Sequence, residues 1–249
     1  MKALKKQYVT GQGVRISETS VTKLDGKTTT SGKTAIRLAF GRSGVTAAEL
    51  SSKARRGVSL SPDRLISIGG YTYVQGGIYG KELPEGKKWV RYAGAATGTT
   101  VNQPFDIFEP KVLRTLVGKA KSVKGGTYKG AMTYKELGRL YGENVTGQMA
   151  RIKLDYVLTL NAKGLATRLV TGITLDFGML GKATSNTDTR FSSWGSKTTI
   201  KAPAEDLWID AKDLDPESEV PEEMPDELSE SGPPLINERR MATSGPLGR

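Results

Sequence analysis

The stretch RIKLDYVLTLNAKGLATRLVTGITLDF, residues 151–177, decides the fold class. Ile152, Leu154, Tyr156, Leu158 and Leu160 share one face of its first half, opposed by Arg151, Lys153 and Asp155, with Val157 as the exception. Leu165, Leu169, Ile173, Leu175 and Phe177 share one face of its second half with Thr167 and Thr171, opposed by Arg168, Val170, Thr174 and Asp176. A period of two, held twice over about ten residues, reads as two β-strands that each bury one face. Asn161-Ala162-Lys163-Gly164 between them has the composition of a hairpin turn. Such strands are longer than the usual five or six or so residues.

The same signal recurs on either side. Val14, Ile16 and Val21 mark a strand in 13–24, and Ile36, Leu38 and Phe40 alternate with Arg37 and Ala39 in 33–41. Residues 57–68 place Val58, Leu60, Ile66 and Ile68 around Ser61-Pro62-Asp63, a turn or bulge. Short strands at 71–74 and 88–92 flank a Gly-rich loop with Pro84-Glu85-Gly86, and a last long strand over 187–201 carries Phe191, Trp194 and Ile200. Helical spacing of Phe105, Phe108, Val112, Leu116 and Val117 predicts a helix over 104–121, with Pro104 in its first turn. A shorter helix is expected over 133–142, with Leu137, Leu140 and Tyr141 inward, and another within 2–10; Gly125, Gly126 and Gly130 mark loops.

At 249 residues and 37% hydrophobic content the chain can bury a sizeable core. No run of apolar residues reaches the 18 or so that a transmembrane helix needs. The start, MKALKKQYVTGQG, is basic and lacks the apolar segment of a signal peptide. Charge is divided unevenly: residues 1–202 hold 33 Lys and Arg against 13 Asp and Glu, and residues 203–249 hold 4 against 13. The acidic stretch PESEVPEEMPDELSESGPP is too poor in apolar residues to offset its ordering entropy. Residues 1–205 are therefore expected to form one domain, and 206–249 a disordered acidic tail.

Chemistry is narrowed by absences. With no Cys and no His, disulfides, thiolate catalysis, Cys-based zinc sites and the commonest general base are all lacking. Gly26–Thr34 imitates a phosphate loop but has one residue too many between its glycines and lies between two β stretches. Asp155 and Asp176 could face each other across the 151–177 hairpin, but on its outer face, where pairing with Arg151, Lys153 or Arg168 is the expected use. No catalytic residues, metal site or cofactor are assigned. Lys53, Arg55 and Arg56, and again Lys119, Lys121 and Lys124, are basic clusters that read as solvated surface, as contact with an anionic membrane, or as a nucleic-acid face. The last is disfavoured because the aromatic residues point inward.

A sheet of such strands must close on itself or cover its concave face with helices, and the helical region 104–142 is placed in sequence to act as the cover. Pattern alone leaves open whether the interior is solid or hollow.

The order of several segments resembles actinobacterial lipoproteins of the LppX/LprG type, relatives of the LolA-like lipoprotein carriers. These segments are Gly11-Gln12-Gly13-Val14, the Tyr71–Val74 to Lys88–Val90 hairpin, the Phe105–Lys121 helix, Gly126-Thr127-Tyr128-Lys129-Gly130, Asp155–Leu165, and Phe191–Gly195 leading into Ile200-Lys201-Ala202-Pro203. The likeness spans residues 3–205, and no single motif in it is specific. It implies a mainly β (α+β) fold: a curved antiparallel half-barrel of about eight to eleven strands, with helices covering the concave face. It also implies an extracytoplasmic carrier that holds a lipid or acylated molecule. Family members carry a signal peptide and an acylated Cys, and neither is found in this sequence.

The candidate lining residues are Ile36, Leu38, Phe40, Leu60, Ile68, Ile152, Leu154, Tyr156, Leu158, Leu169, Ile173 and Leu175 on strands, and Phe105, Phe108, Val112 and Leu116 on the helix. A non-catalytic envelope interaction or sensor protein with a filled core is the alternative.

Overall fold

The structure, a computed structural model, describes residues 2–56, 62–81, 83–96, 99–178, 181–215 and 217–225. Among them, twelve strands form one open sheet. The first half of the chain supplies β1 (Gln12–Leu24), β2 (Lys27–Phe40), β3 (Val45–Arg56), β4 (Arg64–Ile68), β5 (Tyr71–Gln75) and β6 (Trp89–Ala93) as a meander. The second half supplies β7 (Ser122–Lys124), β8 (Thr127–Thr133), β9 (Lys153–Leu160), β10 (Ala166–Asp176) and β11 (Lys182–Lys197) as another. The long strands β1 and β11 pair antiparallel and join the two meanders at the centre. A short β12 (Trp208–Asp210) adds to β6 in parallel at one edge.

The sheet is curved, because one buried cluster takes in Val90 and Tyr92 on β6, Ile16 on β1 and Met132 on β8. Strands nine places apart in the sheet can share a core only if the sheet bends round it. The concave side is covered by α2 (Pro110–Gly118), α3 (Tyr134–Tyr141) and the irregular segment before α2, and the one-turn α1 (Lys2–Lys5) sends Leu4 into the same cluster. The convex side carries a smaller cluster of Ala39, Ala47, Ile66, Tyr73, Trp89 and Ile200.

Several elements differ from the sequence reading. The helix expected over 104–121 begins only at Pro110. Proline disfavours helical geometry in the residue before it, and Glu109 is extended at φ −75°, ψ 111°. Phe105 and Phe108 therefore reach the core from a loop. The helix expected over 133–142 is present: Thr133 and Glu136 form a reciprocal capping box, and Gly142 ends it at φ 84°. The N-terminal helix stops at Lys5. Gly125 and Gly126 form the turn of a β7–β8 hairpin rather than a loop between helices. Gly130 lies within β8, where a Cβ would come within 2.6 Å of the Tyr156 ring. The phosphate-loop-like run is the start of β2, turned at Asp25 (φ 46°) and Gly26 (φ 78°).

β3 was not expected, since VTAAELSSKARR is rich in Ala, Ser and charge. Within the described part of the 57–68 stretch, 64–68 is strand, and residues 57–61, Leu60 included, lie outside the described residues. Asp155 stands opposite Gly172 and Asp176 opposite Lys182, so the two carboxylates do not meet. Arg168 pairs with Asp188 instead, at 2.8 Å.

The acidic segment begins later than its composition suggests. Trp208–Asp210 is a strand, and Ala211 and Val220 are buried. Arg91 donates to both oxygens of Asp210 at 2.6 and 2.5 Å and lies 3.7 Å from the Trp208 ring centroid. Tyr92 donates to the Pro221 carbonyl at 2.7 Å. Isolated apolar anchors and two ion pairs, Arg91–Asp210 and Lys81–Glu219 at 3.4 Å, thus hold the described residues of 208–225 against the body, and residues 226–249 lie outside the described residues.

Candidate functional site

The inward faces of the strands meet in one cluster. Ile36, Leu38 and Phe40 on β2, Leu154, Tyr156 and Leu158 on β9, and Leu169 on β10 are all buried in it. Phe105 and Phe108 from the loop and Val112 and Leu116 from α2 complete it from above. The Tyr156 hydroxyl donates to the Leu116 carbonyl at 2.7 Å and fixes the end of α2 to β9. Ile152 and Ile173 are half-buried at its margin. Leu175 is half-buried and belongs to neither cluster, and Phe177, just past β10, is exposed. Ile68 is on the wrong side: β4 turns Leu65 inward and packs Ile66 and Ile68 with the convex cluster. The proline at 62 hid the strand's true start, and a one-residue error in phase exchanges the faces.

Two polar features cross the concave face. Glu18 on β1 is only 1% exposed and accepts from the Asn102 backbone N–H at 2.7 Å and its Nδ2 at 3.0 Å. Burial raises its pKa, and those two hydrogen bonds partly offset the rise. Gln103 Nε2 donates to the Leu169 carbonyl and to Thr189, while its Oε1 is buried without a hydrogen-bond partner. Just beyond, Asp106 accepts from Thr99 Oγ1 at 2.9 Å and the Phe108 N–H at 2.8 Å. Burial pushes its pKa up to about 6, and Glu109 adds to the rise. The segment 99–109 is thus tied to β1, β10 and β11 by side chains that composition alone did not single out.

Below Glu18, toward the start of β1, the face is apolar and aromatic. Phe40, Phe108, Phe191 and Trp194 pack ring to ring with centroids 5.8–6.3 Å apart, and Tyr8 meets Phe40 edge-on at 5.4 Å. Past Glu18 the inward positions become Ser20 and Thr22 on β1, with Thr187 and Ser185 opposite them on β11.

At the aromatic end the cluster reaches the surface. β11 bulges against β1, where the register slips between Gly13–Ser196 and Arg15–Ser192. The bulge carries Ser193 at φ 55° and Gly195 at φ 76°. Trp194 is held by an indole N–H bond to the Ala166 carbonyl at 2.8 Å. Beside it lies an open groove of about 500 Å³ lined by Gln7, Asn161, Ala162, Lys163, Leu165, Thr167, Phe191, Ser192, Ser193 and Trp194. That volume is within the range of about 300–1,000 Å³ typical of small-ligand sites. The sequence placed Leu165 on the apolar face of its hairpin and Phe191 and Trp194 in the last long strand, but none of the three was among the candidate lining residues, and the bulge that opens a groove over them was not legible.

No family model and no curated protein matches the chain. Among solved structures, the chain has a TM-score of 0.37 and 12% identity to the lipoprotein LppX of Mycobacterium tuberculosis, covering 80% of this chain and 99% of that one. A DUF1329 family protein from Desulfovibrio piger gives 0.32 and 14%, covering 80% and 92%. A LolA superfamily protein from Nitrosomonas europaea gives 0.28 and 6%, also covering 80% and 92%.

Proposed function

We propose that this chain is a non-catalytic binding or carrier protein of the LolA-like type, acting outside the cytoplasmic membrane, that holds the acyl part of a lipid or acylated molecule against the apolar concave face of its sheet. One observation carries the reading: the buried cluster that runs beneath the helices is continuous with the floor of an open groove, through Phe191 and Trp194. An acyl chain in that groove would extend the core, gaining roughly 0.8 kcal/mol for each CH₂ removed from water. The interior residues Ile36, Leu38, Phe40, Leu154, Leu158, Leu169, Phe105, Phe108, Val112 and Leu116 would then shape the wall behind the ligand, or part to admit it.

The test is native mass spectrometry of the purified chain, followed by delipidation and titration with a fluorescent fatty acid. A co-purifying lipid or saturable uptake at one site is the expected result. A clean mass with no uptake would refute it. A second reading, an interaction protein with a filled core, is favoured by the complete burial of Leu38, Leu116, Leu154 and Leu158 at 0% exposure. That reading expects the same experiment to show no uptake at all.

A further inference from the structure

We propose that the groove between the β9–β10 turn and the β11 bulge takes a long-chain carboxylate, its single chain on Leu165, Phe191 and Trp194 and its anionic head at Lys163. The inference rests on the lipid-binding reading above and narrows it to one ligand class at one place.

The floor and the rim of the groove differ in kind. The floor is apolar: Phe191 belongs to the core cluster, Trp194 packs against it and Leu165 is buried beside them, so hydrocarbon can be received there without leaving a polar group unpaired. The rim holds one cation, Lys163, and no carboxylate. The β9–β10 turn that presents Lys163 is shaped by Asn161, whose Oδ1 accepts from the Lys163 and Leu165 amides at 2.9 and 3.1 Å, so the lysine's backbone is fixed. The N-terminal segment adds to the positive field. Ala3 stands 3.5 Å from where a Cβ on Gly164 would be, and Gln7 forms part of the groove wall. This brings Lys2, Lys5 and Lys6, all exposed, to the same end of the molecule.

Some strand cations are neutralised by neighbours. Arg37 and Arg64 share Glu49, Arg168 and Arg190 share Asp188, Arg91 holds Asp210 and Lys182 holds Asp176. Lys163, Lys2, Lys5 and Lys6, like Arg15, Lys23, Lys33, Lys129 and Lys153 on the strands, make no ion pair among the described residues, and of these Lys163 lines the groove. Apolar floor and unpaired cationic rim together match an amphiphile with one chain and an anionic head. A volume of about 500 Å³ suits one chain rather than the several chains of a larger lipid.

The experiment uses the full chain, delipidated, titrated with cis-parinaric acid and with its methyl ester, and followed by energy transfer from tryptophan. The acid is expected to bind one per chain and about tenfold more tightly than the ester, the gap narrowing as salt is raised. Lys163→Glu is expected to weaken the acid about tenfold and leave the ester unchanged. Lys163 is exposed, so this variant should keep the parent circular dichroism spectrum. Trp194→Phe is expected to remove most of the energy transfer to bound acid, whereas Trp208→Phe should remove little.

If acid and ester bind equally and Lys163→Glu changes neither, the head-group assignment is overturned while lipid binding stands. If the acid binds but neither Lys163→Glu nor Trp194→Phe affects the signal, the ligand sits elsewhere and the site is overturned. If neither probe binds, the lipid-binding reading itself fails, and this inference with it.

Discussion

Replacing Asp106 by Asn should change how the protein's stability depends on pH. The Asp106 side chain is half-buried under the concave cover, and desolvation there is the main reason its pKa rises from the usual 3.8 to about 6. A folded-state pKa above the unfolded one means that the folded form binds the proton more tightly. The group's contribution is fully present below about pH 4 and is lost as pH rises through about 6. Two pK units at about 1.36 kcal/mol each put the loss near 3 kcal/mol. Asn keeps an Oδ1 acceptor for Thr99 and for the Phe108 N–H, and does not titrate. Any penalty from its extra N–H group is the same at every pH. The difference in unfolding free energy between Asp106→Asn and the parent should therefore move by about 3 kcal/mol in favour of the variant between about pH 3.5 and pH 8. Urea unfolding followed by tryptophan fluorescence at several pH values measures it. Taking the difference cancels the opposing slope of carboxylates held low by their partners, such as Glu136 at about 2 beside Lys119. A difference that stays flat within about 0.5 kcal/mol over that range would refute the claim that Asp106 is a sealed, proton-hungry group.

Other outcomes follow from single contacts. Glu18→Gln, which keeps an acceptor for Asn102 and removes a buried charge, should be at least as stable as the parent at neutral pH. Glu18→Leu, which strands the Asn102 donors, should lose about 1–3 kcal/mol in the same unfolding assay. Tyr156→Phe should cost about 1 kcal/mol for the lost bond to Leu116, with hydrogen exchange rising first at the end of α2. Gly130→Ala should lower the melting temperature more than either, because its methyl would strike the Tyr156 ring, which is itself packed edge-on to Phe105. Arg91→Ala should free the segment 208–225, seen as faster proteolysis there with the rest of the body intact.

The hairpin 151–177 was legible because its apolar face is unbroken: Leu154, Tyr156, Leu158 and Leu169 all lie in the core, as their spacing requires. The helix expected over 133–142 is present as well, and the capping box that starts it at Thr133, which the sequence reading did not pick out, is local chemistry that folding leaves intact. Misreadings arose where tertiary contacts overrule local signals. β3 is a strand because β2 and β4 pair with it on both sides, not because of its Ala and Ser content. Pro110 stops a helical pattern that Phe105 and Phe108 otherwise satisfy, and both rings reach the core without a helix. Trp208 and Val220 sit in a stretch whose average composition is that of a disordered chain, yet each is individually anchored. The groove depends on a register slip between two strands 180 or so residues apart, which leaves no trace in either strand alone.

The distribution of polarity along the central strands bears on where an apolar ligand can enter. Followed inward along β1, the concave face reads Val14, Ile16, then Glu18, Ser20 and Thr22, and β11 opposite it reads Phe191, then Thr189, Thr187 and Ser185. Along β1 and β11 the face is apolar on one side of Glu18 and lined by hydroxyls on the other, while Ile173 and Leu175 on β10, Tyr156 and Leu154 on β9 and Met132 on β8 keep the neighbouring strands apolar at those levels. Segment 99–109 lies across the boundary, fastened to Glu18, Leu169 and Thr189. A hydrocarbon chain arriving from the hydroxyl side would have to pass a buried carboxylate and an amide already engaged with the sheet, and parting them would leave their polar groups unpaired. One arriving from the aromatic side meets Trp194 and Phe191 directly, in a groove that needs no hydrogen bond broken to be occupied. Under the binding reading proposed above, the polarity of β1 and β11 favours entry of an apolar chain from the aromatic end.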